Sequence, residues 1–231
     1  MDDLALIEPH LAAQGITVPP AAWERIGRYV SLLERWNRRI NLTAHRTRRD
    51  LVVRHVLDCL MLERLPAPAG PCRVADLGSG AGLPGLLLAL LHPDWQVTSV
   101  ERAGKKVAFQ QVAAQELGLA NFTPLRADVR ALAAGEGRGA YDVVVARAFA
   151  ALGELLAVAA GLLRPGGSCW AMKGPRLATE QAAVPADVRA AFAPEVATFP
   201  YRFAELDLGG VVAVYRRASG PEETAGDAPR A

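Results

Sequence analysis

Arg73-Val74-Ala75-Asp76-Leu77-Gly78-Ser79-Gly80-Ala81-Gly82-Leu83-Pro84-Gly85 is the stretch on which the reading of this chain turns. Val74, Ala75 and Leu77 form a short apolar run suited to a buried strand, and Leu83 to Leu91 continues apolar like a helix packed on a sheet. Between them stand three glycines at alternating positions. Gly78, Gly80 and Gly82 can take positive backbone angles and let a ligand come close to bare backbone, while free amides at the helix start offer donors. A plain connection gains nothing from three residues that each lose extra chain entropy on folding, so the turn reads as a ligand cradle.

The spacing narrows the ligand. A nicotinamide-binding turn, G-x-G-x-x-G/A, needs a small residue at position 83 after Gly78 and Gly80, and leucine stands there. Asp76 with Gly78, Gly80 and Gly82, in the spacing D-x-G-x-G-x-G, resembles the first motif of class I methyltransferases that use S-adenosylmethionine. That resemblance implies that Asp76 organises the loop near the amino-acid end of the cofactor and that an acid closing the next strand holds the ribose hydroxyls. Trp95 to Val100 reads as that strand, and Glu101 follows it. A carboxylate can accept from two vicinal hydroxyls. Pairing with Lys105 at helical spacing is the other use open to Glu101.

About half of the 231 residues are apolar (51%), enough for one Rossmann-sized core and a small appendage. Cys59, Cys72 and Cys169 are widely spaced and include no C-x-x-C, which fits reduced thiols in a cytoplasmic protein and argues against a metal site or disulfide frame. No basic, apolar leader opens the sequence, and its longest apolar run, Leu86 to Leu91, is too short to span a bilayer. A soluble monomer is the expectation.

Residues 1–65 read as a helical extension. Pro19 and Pro20 suit the first turn of a long helix, with Ile26, Val30, Leu33, Trp36 and Ile40 along one face. Thr47 and Asp50 resemble a capping box opening a second helix that turns Leu51, Val52, Val56, Cys59 and Leu60 inward. From Arg25 to His55 there are nine arginines against two acids, Glu34 and Asp50, in a chain whose formal net charge is +2. A solvated face ordinarily mixes signs, whereas a one-signed run fits a surface that neutralises phosphates. Arg38, Arg39, Arg46, Arg48, Arg49 and Arg54 are the expected RNA-facing set. Residues 66–71, Pro-Ala-Pro-Ala-Gly-Pro, read as a stiff linker, leaving 72–217 for the main domain and 218–231 as a polar tail expected to be disordered.

Strand and helix then alternate. Lys105 to Leu117 reads as a helix, Phe122 to Ala127 as a strand ending at Asp128, and Tyr141 to Ala146 as a strand followed by Arg147. Leu152 to Leu163 is a helix stopped by Arg164-Pro165-Gly166-Gly167, and Ser168 to Met172 is a strand ending at Lys173-Gly174. Val196 to Phe203 and Val211 to Tyr215 suggest a closing hairpin around Leu208-Gly209-Gly210. The fold class is therefore α/β: a Rossmann-like, mostly parallel seven-stranded sheet with a closing antiparallel hairpin and an N-terminal helical extension. Ligands of such sheets sit beyond the carboxyl ends of the strands, where Asp76, Glu101, Asp128, Arg147 and Lys173 all fall.

A closer match rests on Trp36-Asn37 with Ile40-Asn41-Leu42-Thr43, Arg54-His55 with Leu57-Asp58, Asp76 to Gly85, Val100-Glu101 with Lys105-Lys106, Arg126-Ala127-Asp128, Arg147-Ala148-Phe149 and Lys173-Gly174. Together these resemble the RsmG (GidB) family, which methylates ring nitrogen 7 of one guanine in 16S ribosomal RNA with S-adenosylmethionine. The resemblance implies cofactor contacts at Gly78, Leu83, Glu101, Arg102, Ala103, Ala127, Asp128 and Arg147. It implies small-subunit RNA or the subunit itself as partner. Departures are mild: Ser79 and Ala81 replace a common threonine and proline, Leu83 a frequent phenylalanine, and Cys59 a frequent serine.

The implied chemistry needs no proton acceptor, because ring nitrogen 7 has a free lone pair at neutral pH. Alignment of donor and acceptor can lower such a barrier by roughly 7 to 11 kcal/mol. The sequence accordingly offers no compelling His-Asp or Cys-His arrangement, and His55 and Asp58 read as structural or contact residues. Arg147 and Lys173 are the candidate catalytic residues, acting by positioning rather than as bases. For Arg147 the partners stay open among the base carbonyl, the cofactor carboxylate, an RNA phosphate and a buried ion pair with Asp128 or Asp142. The target base must be unstacked to reach the cleft. Competing readings are a class I methyltransferase with another acceptor and a noncatalytic RNA-binding or assembly factor that keeps the fold.

Overall fold

A computed structural model describes residues 3–219, so the expected tail lies almost wholly outside the described residues. Three helical segments come first. Glu8–Ala13 (α1) is short, and Pro20–Asn37 (α2) starts on a proline at its first turn. Residues 48–64 (α3) are α-helical over Arg48–Leu51, widen to a π-helix over Val52–Leu57, return to α over Asp58–Leu60 and tighten to a 3-10 turn over Met61–Arg64. Thr47 caps α3 by accepting from the Asp50 amide, as its spacing predicted.

Seven strands form one sheet in the order β3-β2-β1-β4-β5-β7-β6. They are β1 Arg73–Leu77, β2 Gln96–Glu101, β3 Phe122–Arg126, β4 Tyr141–Arg147, β5 Leu163–Lys173, β6 Phe192–Phe203 and β7 Leu208–Arg217. β1 to β5 pair in parallel, and β7 runs antiparallel between β5 and β6. Chain order reverses at β1, which pairs with β2 on one side and β4 on the other, so the ligand crevice of this topology opens beyond Leu77 and Ala146.

Period-2 alternation sends neighbouring strand residues to two apolar clusters. Val74, Val143 and Val145 join one; Ala75, Leu77, Val144 and Ala146 join the other. The first cluster also holds Ile26, Tyr29 and Leu33 of α2, Val52 and Val56 of α3, and Leu86 and Leu87 of Gly85–Leu91 (α4). The helical extension thus covers one face of the sheet rather than hanging from it. Phe109 of Gly104–Leu117 (α5) is buried there too, 6.2 Å from the Tyr29 ring.

Four expectations are corrected. Ile40 is not on the long helix, because buried Asn37 ends it: its Oδ1 accepts from the Leu42 and Thr43 amides and its Nδ2 donates to His45 O, satisfying a loop that leaves the helix axis. The final hairpin turns at 204–207, with Asp207 at φ 46, not at Gly209-Gly210. Those glycines lie in β7, where a side chain on Gly210 would meet the Tyr201 ring. Pro165-Gly166-Gly167 interrupts rather than precedes β5, since Leu163 already pairs with Tyr141 before a register break. Three short helices, Val129–Ala134 (α6), Leu177–Ala182 (α8) and Ala186–Ala190 (α9), went unread beside Leu152–Leu162 (α7), because six or fewer residues carry too little periodicity.

Candidate active site

The glycine turn leaves β1 with Gly78, Gly80 and Gly82 at φ +64, +59 and +85. Gly78 and Ser79 donate to Val100 O at 2.9 and 3.3 Å, tying the turn to β2. A side chain on Gly78 would meet the Phe149 ring, and one on Gly82 would crowd Gln110, but one on Gly80 would enter open space. Gln110 of α5 braces the turn through its Nε2, which donates to Ser79 Oγ and Gly80 O, each at 2.9 Å. Tyr29 reaches it from the extension, donating to Ala81 O at 2.9 Å.

Asp76 is fully buried beneath this turn. Its Oδ2 accepts from the Gly85 amide at 2.8 Å, while Oδ1 has no partner among the described residues. Burial raises its carboxyl from 3.8 to about 7, helped by the Glu101 charge and opposed by the Gly85 amide and Arg147. Gly85 has to be glycine because an added carbon would lie 2.8 Å from Asp76 Oδ2. Glu101 ends β2 and spans the mouth of the turn: Oε2 accepts from the Gly80 amide at 3.1 Å and Oε1 from the Ala103 amide at 2.8 Å. Its nearby cation is Lys106, at 3.9 Å, rather than Lys105.

Of the other expected cofactor contacts, Arg102 is exposed beside Glu101, and Leu83 is buried in the apolar cluster. Ala127 and Asp128 follow β3. Asp128 Oδ1 already caps α6, accepting from Arg130 and Ala131 amides at 2.9 and 3.3 Å.

Arg147 does not pair with Asp128 or Asp142. It turns to α3, donating to Arg54 O at 3.0 Å, His55 Nδ1 at 2.8 Å and Asp58 Oδ2 at 3.5 Å. Asp142 is instead taken by the Arg73 amide and Arg164. Because a guanidinium only donates, His55 Nδ1 must accept, which puts the ring proton on Nε2, facing Thr43 Oγ1 at 2.7 Å. Burial, then the Arg147 and His45 charges, lower His55 from 6.5 to about 3, so the ring is neutral. Tyr201 of β6 donates to Asp58 Oδ1 at 2.5 Å. The π-helical segment delivers Arg54 O and His55 to this cluster, and the next residue after it is Asp58. Lys173 ends β5, donating to Ala150 O and Glu180 Oε2, each at 2.8 Å.

A cavity of about 860 Å³ opens beyond β4 and β5, lined among others by Arg54, Asp58, Arg147, Phe149, Lys173 and Glu180. Phe149 belongs to both regions, since its ring also lies against Gly78. Cavity and turn are therefore adjacent. Sequence reasoning missed Tyr29, Gln110, Tyr201 and Glu180, whose partners stand far away in the chain or on elements too short to read.

The arginine run is less free than its composition implies. Arg46 donates to Asn37 O and Asn41 Oδ1, Arg48 lies within 4 Å of Asp3 and Glu34, Arg54 bonds Asp207, and Arg38 pairs with Glu34. Arg39 and Arg49 are exposed and carry no salt bridge among the described residues. No group of three metal-ligating side chains occurs among those residues, and none of their helices is long and apolar enough to cross a membrane.

Among solved structures, the chain superposes on an O-methyltransferase of Agrobacterium tumefaciens described as predicted, with a TM-score of 0.59, 21% identity and coverage of 70% of this chain and 81% of that one. It also superposes on the fibrillarin of Aeropyrum pernix, crystallised with S-adenosyl-L-methionine natively bound, with a TM-score of 0.53, 15% identity and coverage of 69% and 73%. These likenesses establish the fold, that of class I methyltransferases. In sequence, a ribosomal RNA small subunit methyltransferase G of Halorhodospira halophila is 44% identical over 180 residues, 78% of this chain and 82% of the relative. Its namesake from Chromohalobacter salexigens is 43% identical over 184 residues, 80% and 85% of the two chains. The GidB family model, described as rRNA small subunit methyltransferase G, matches residues 22–198, and the chain belongs to that family.

Proposed function

We propose that this chain transfers the methyl group of S-adenosylmethionine to ring nitrogen 7 of a guanine in small-subunit ribosomal RNA, acting as a cytoplasmic monomer. The observation that carries the reading is the open face of Gly80 beside Glu101, at the sheet's switch point and next to a cavity lined in part by Arg54, Arg147, Arg176 and Lys173. The residues present fit the cofactor. Gly80 leaves space that a side chain would fill, and Glu101 stands at the strand end where ribose hydroxyls would need acceptors. Gly78, Gly80, Gly82, Glu101, Arg102, Ala103, Ala127 and Asp128 would hold it, with Asp76 supporting the turn from beneath and Leu83 from within the apolar cluster. The cofactor supplies a sulfonium methyl, an electrophile that needs no further activation.

The chain's own part is orientation. Ring nitrogen 7 attacks with a free lone pair, so no side chain has to take a proton. The site fits this: His55 is neutral with its Nδ1 lone pair engaged by Arg147, and both Asp58 oxygens are engaged. Arg147, locked by three partners on α3, fixes the wall between turn and cavity. Lys173 fixes the next wall through Ala150 and Glu180. Arg39 and Arg49 stay available for phosphates, while Arg38, Arg46, Arg48 and Arg54 also hold the extension in shape.

Transfer of labelled methyl from S-adenosylmethionine to small-subunit RNA, offered naked and as intact subunits and followed by nucleoside analysis, tests the reading. The expected product is 7-methylguanosine; a different modified nucleoside, or none despite cofactor binding, would overturn it.

A further inference from the structure

The cavity beyond β4 and β5 is large enough for a nucleotide and has a defined orientation relative to the glycine turn. Along the carboxyl edge of the sheet, the turn follows β1, Arg147 ends β4 with Phe149 just beyond it, and Lys173 ends β5, bonded to Glu180 of α8. A base held between turn and β5 presents one edge to each. For guanine, nitrogen 7 of the five-membered ring must face the turn, which leaves the Watson–Crick edge of the six-membered ring, with its N1–H and 2-amino donors and the carbonyl O6, to face β5. That edge needs an acceptor.

The cavity offers two carboxylates. Asp58 is committed, with Tyr201 on Oδ1 and Arg147 on Oδ2. Glu180 is committed on one oxygen only: Oε2 accepts from Lys173 Nζ at 2.8 Å and from the Leu152 amide at 2.9 Å, whereas Oε1 takes no partner among the described residues. Those two bonds fix the carboxylate against the wall with its second oxygen left over. Lys173, the ammonium beside it, supplies a donor of the kind the guanine carbonyl O6 requires. Phe149 lines the cavity and its ring also lies against Gly78 of the turn.

We propose that this cavity receives the unstacked target guanine and that Glu180 Oε1 selects it by accepting from its N1–H and 2-amino edge, an inference that rests on the methyl-transfer reading above. Adenine would present a bare N1 acceptor to the same oxygen and an amine to Lys173, two mismatches at one edge. Glu180 is then a specificity residue that touches substrate, while Lys173 both orients it and reads O6.

The test crosses Glu180→Gln with RNA carrying inosine in place of the target guanosine, which deletes only the 2-amino group. Wild-type enzyme should lose roughly 10- to 100-fold in kcat/KM on inosine RNA. E180Q should lose a similar factor on guanosine RNA and little more on inosine RNA, with cofactor affinity by calorimetry unchanged. Equal wild-type rates on both RNAs, or penalties that multiply independently, would overturn the assignment. The inosine comparison needs no variant, so misfolding of E180Q cannot mask the result. If wild-type enzyme yields no 7-methylguanosine at all, the functional reading has failed; if it does but ignores the 2-amino group, only the pocket assignment has.

Discussion

Asp76 and His55 titrate in opposite senses, and replacing one should expose the other. In the folded protein burial lifts the Asp76 carboxyl from 3.8 to about 7. Below 3.8 both folded and unfolded chains hold this proton. Between 3.8 and 7 only the folded chain does, so stability falls as pH rises, and above 7 the loss is constant. At ~1.4 kcal/mol per pH unit this amounts to ~4 kcal/mol in all. His55 does the reverse: burial first, then Arg147, lowers it from 6.5 to about 3, so stability rises with pH across that interval as the unfolded chain gives up a proton the folded one never bound. From about pH 4 to 6.5 the two slopes cancel, leaving a nearly flat contribution from this pair.

In Asp76→Asn the falling slope disappears. The variant's stability minus that of wild type should grow by ~1.4 kcal/mol per pH unit between pH 4.5 and 6.5 and level off above 7. His55→Asn should give a difference of opposite slope. Urea unfolding of the ligand-free protein at half-unit steps of pH reads both, and the slope is independent of any constant cost of the substitution. Parallel curves for D76N and wild type would refute the buried, protonated carboxyl.

Gly80→Val places a branched side chain in open space at φ +59, which costs the ligand-free fold about 1–2 kcal/mol but fills the cradle; cofactor affinity by calorimetry should fall at least tenfold, and an unchanged affinity would remove the turn as the site. Charge reversal at Arg39 and Arg49 should reduce the logarithmic salt slope of RNA binding by about 1.5 to 2 while sparing cofactor affinity; an unaltered slope would return both to plain surface. Tyr201→Phe removes a buried-side donor to Asp58 and should lower stability by about 1 to 3 kcal/mol with Arg147 retained; thermal unfolding of equal midpoint would show that the hydroxyl contributes nothing.

The centre of the sheet was readable because β1 and β4 are short apolar runs bounded by turn residues, and the glycine turn because three glycines between strand and helix have few other uses. Glu101 was readable for the same reason, by its place at a strand end. The partners of Arg147 were not, because they come from residues 89 to 93 positions earlier, and no local pattern records which strand end will meet which helix. Composition overstated the free charge of the arginine run, since Asn37 at the end of α2 and Asn41, Asp3 and Asp207 outside the regular elements engage arginines in ways that periodicity does not describe. Glu180 sits on a six-residue helix, too short to announce which way its carboxylate points.

The bonds that join α3 to the closing hairpin, from Tyr201 to Asp58, from Arg54 to Asp207 and from Arg64 to Pro200 O, span 143, 153 and 136 positions. During synthesis the basic helices emerge before the hairpin, yet this side of them is finished only when the hairpin exists. Contacts so far apart in sequence form late and slowly. A nascent chain that has not yet reached the hairpin therefore carries its arginine-rich segment without the contacts that secure it, and emergence of the hairpin becomes the event that assembles the pocket wall.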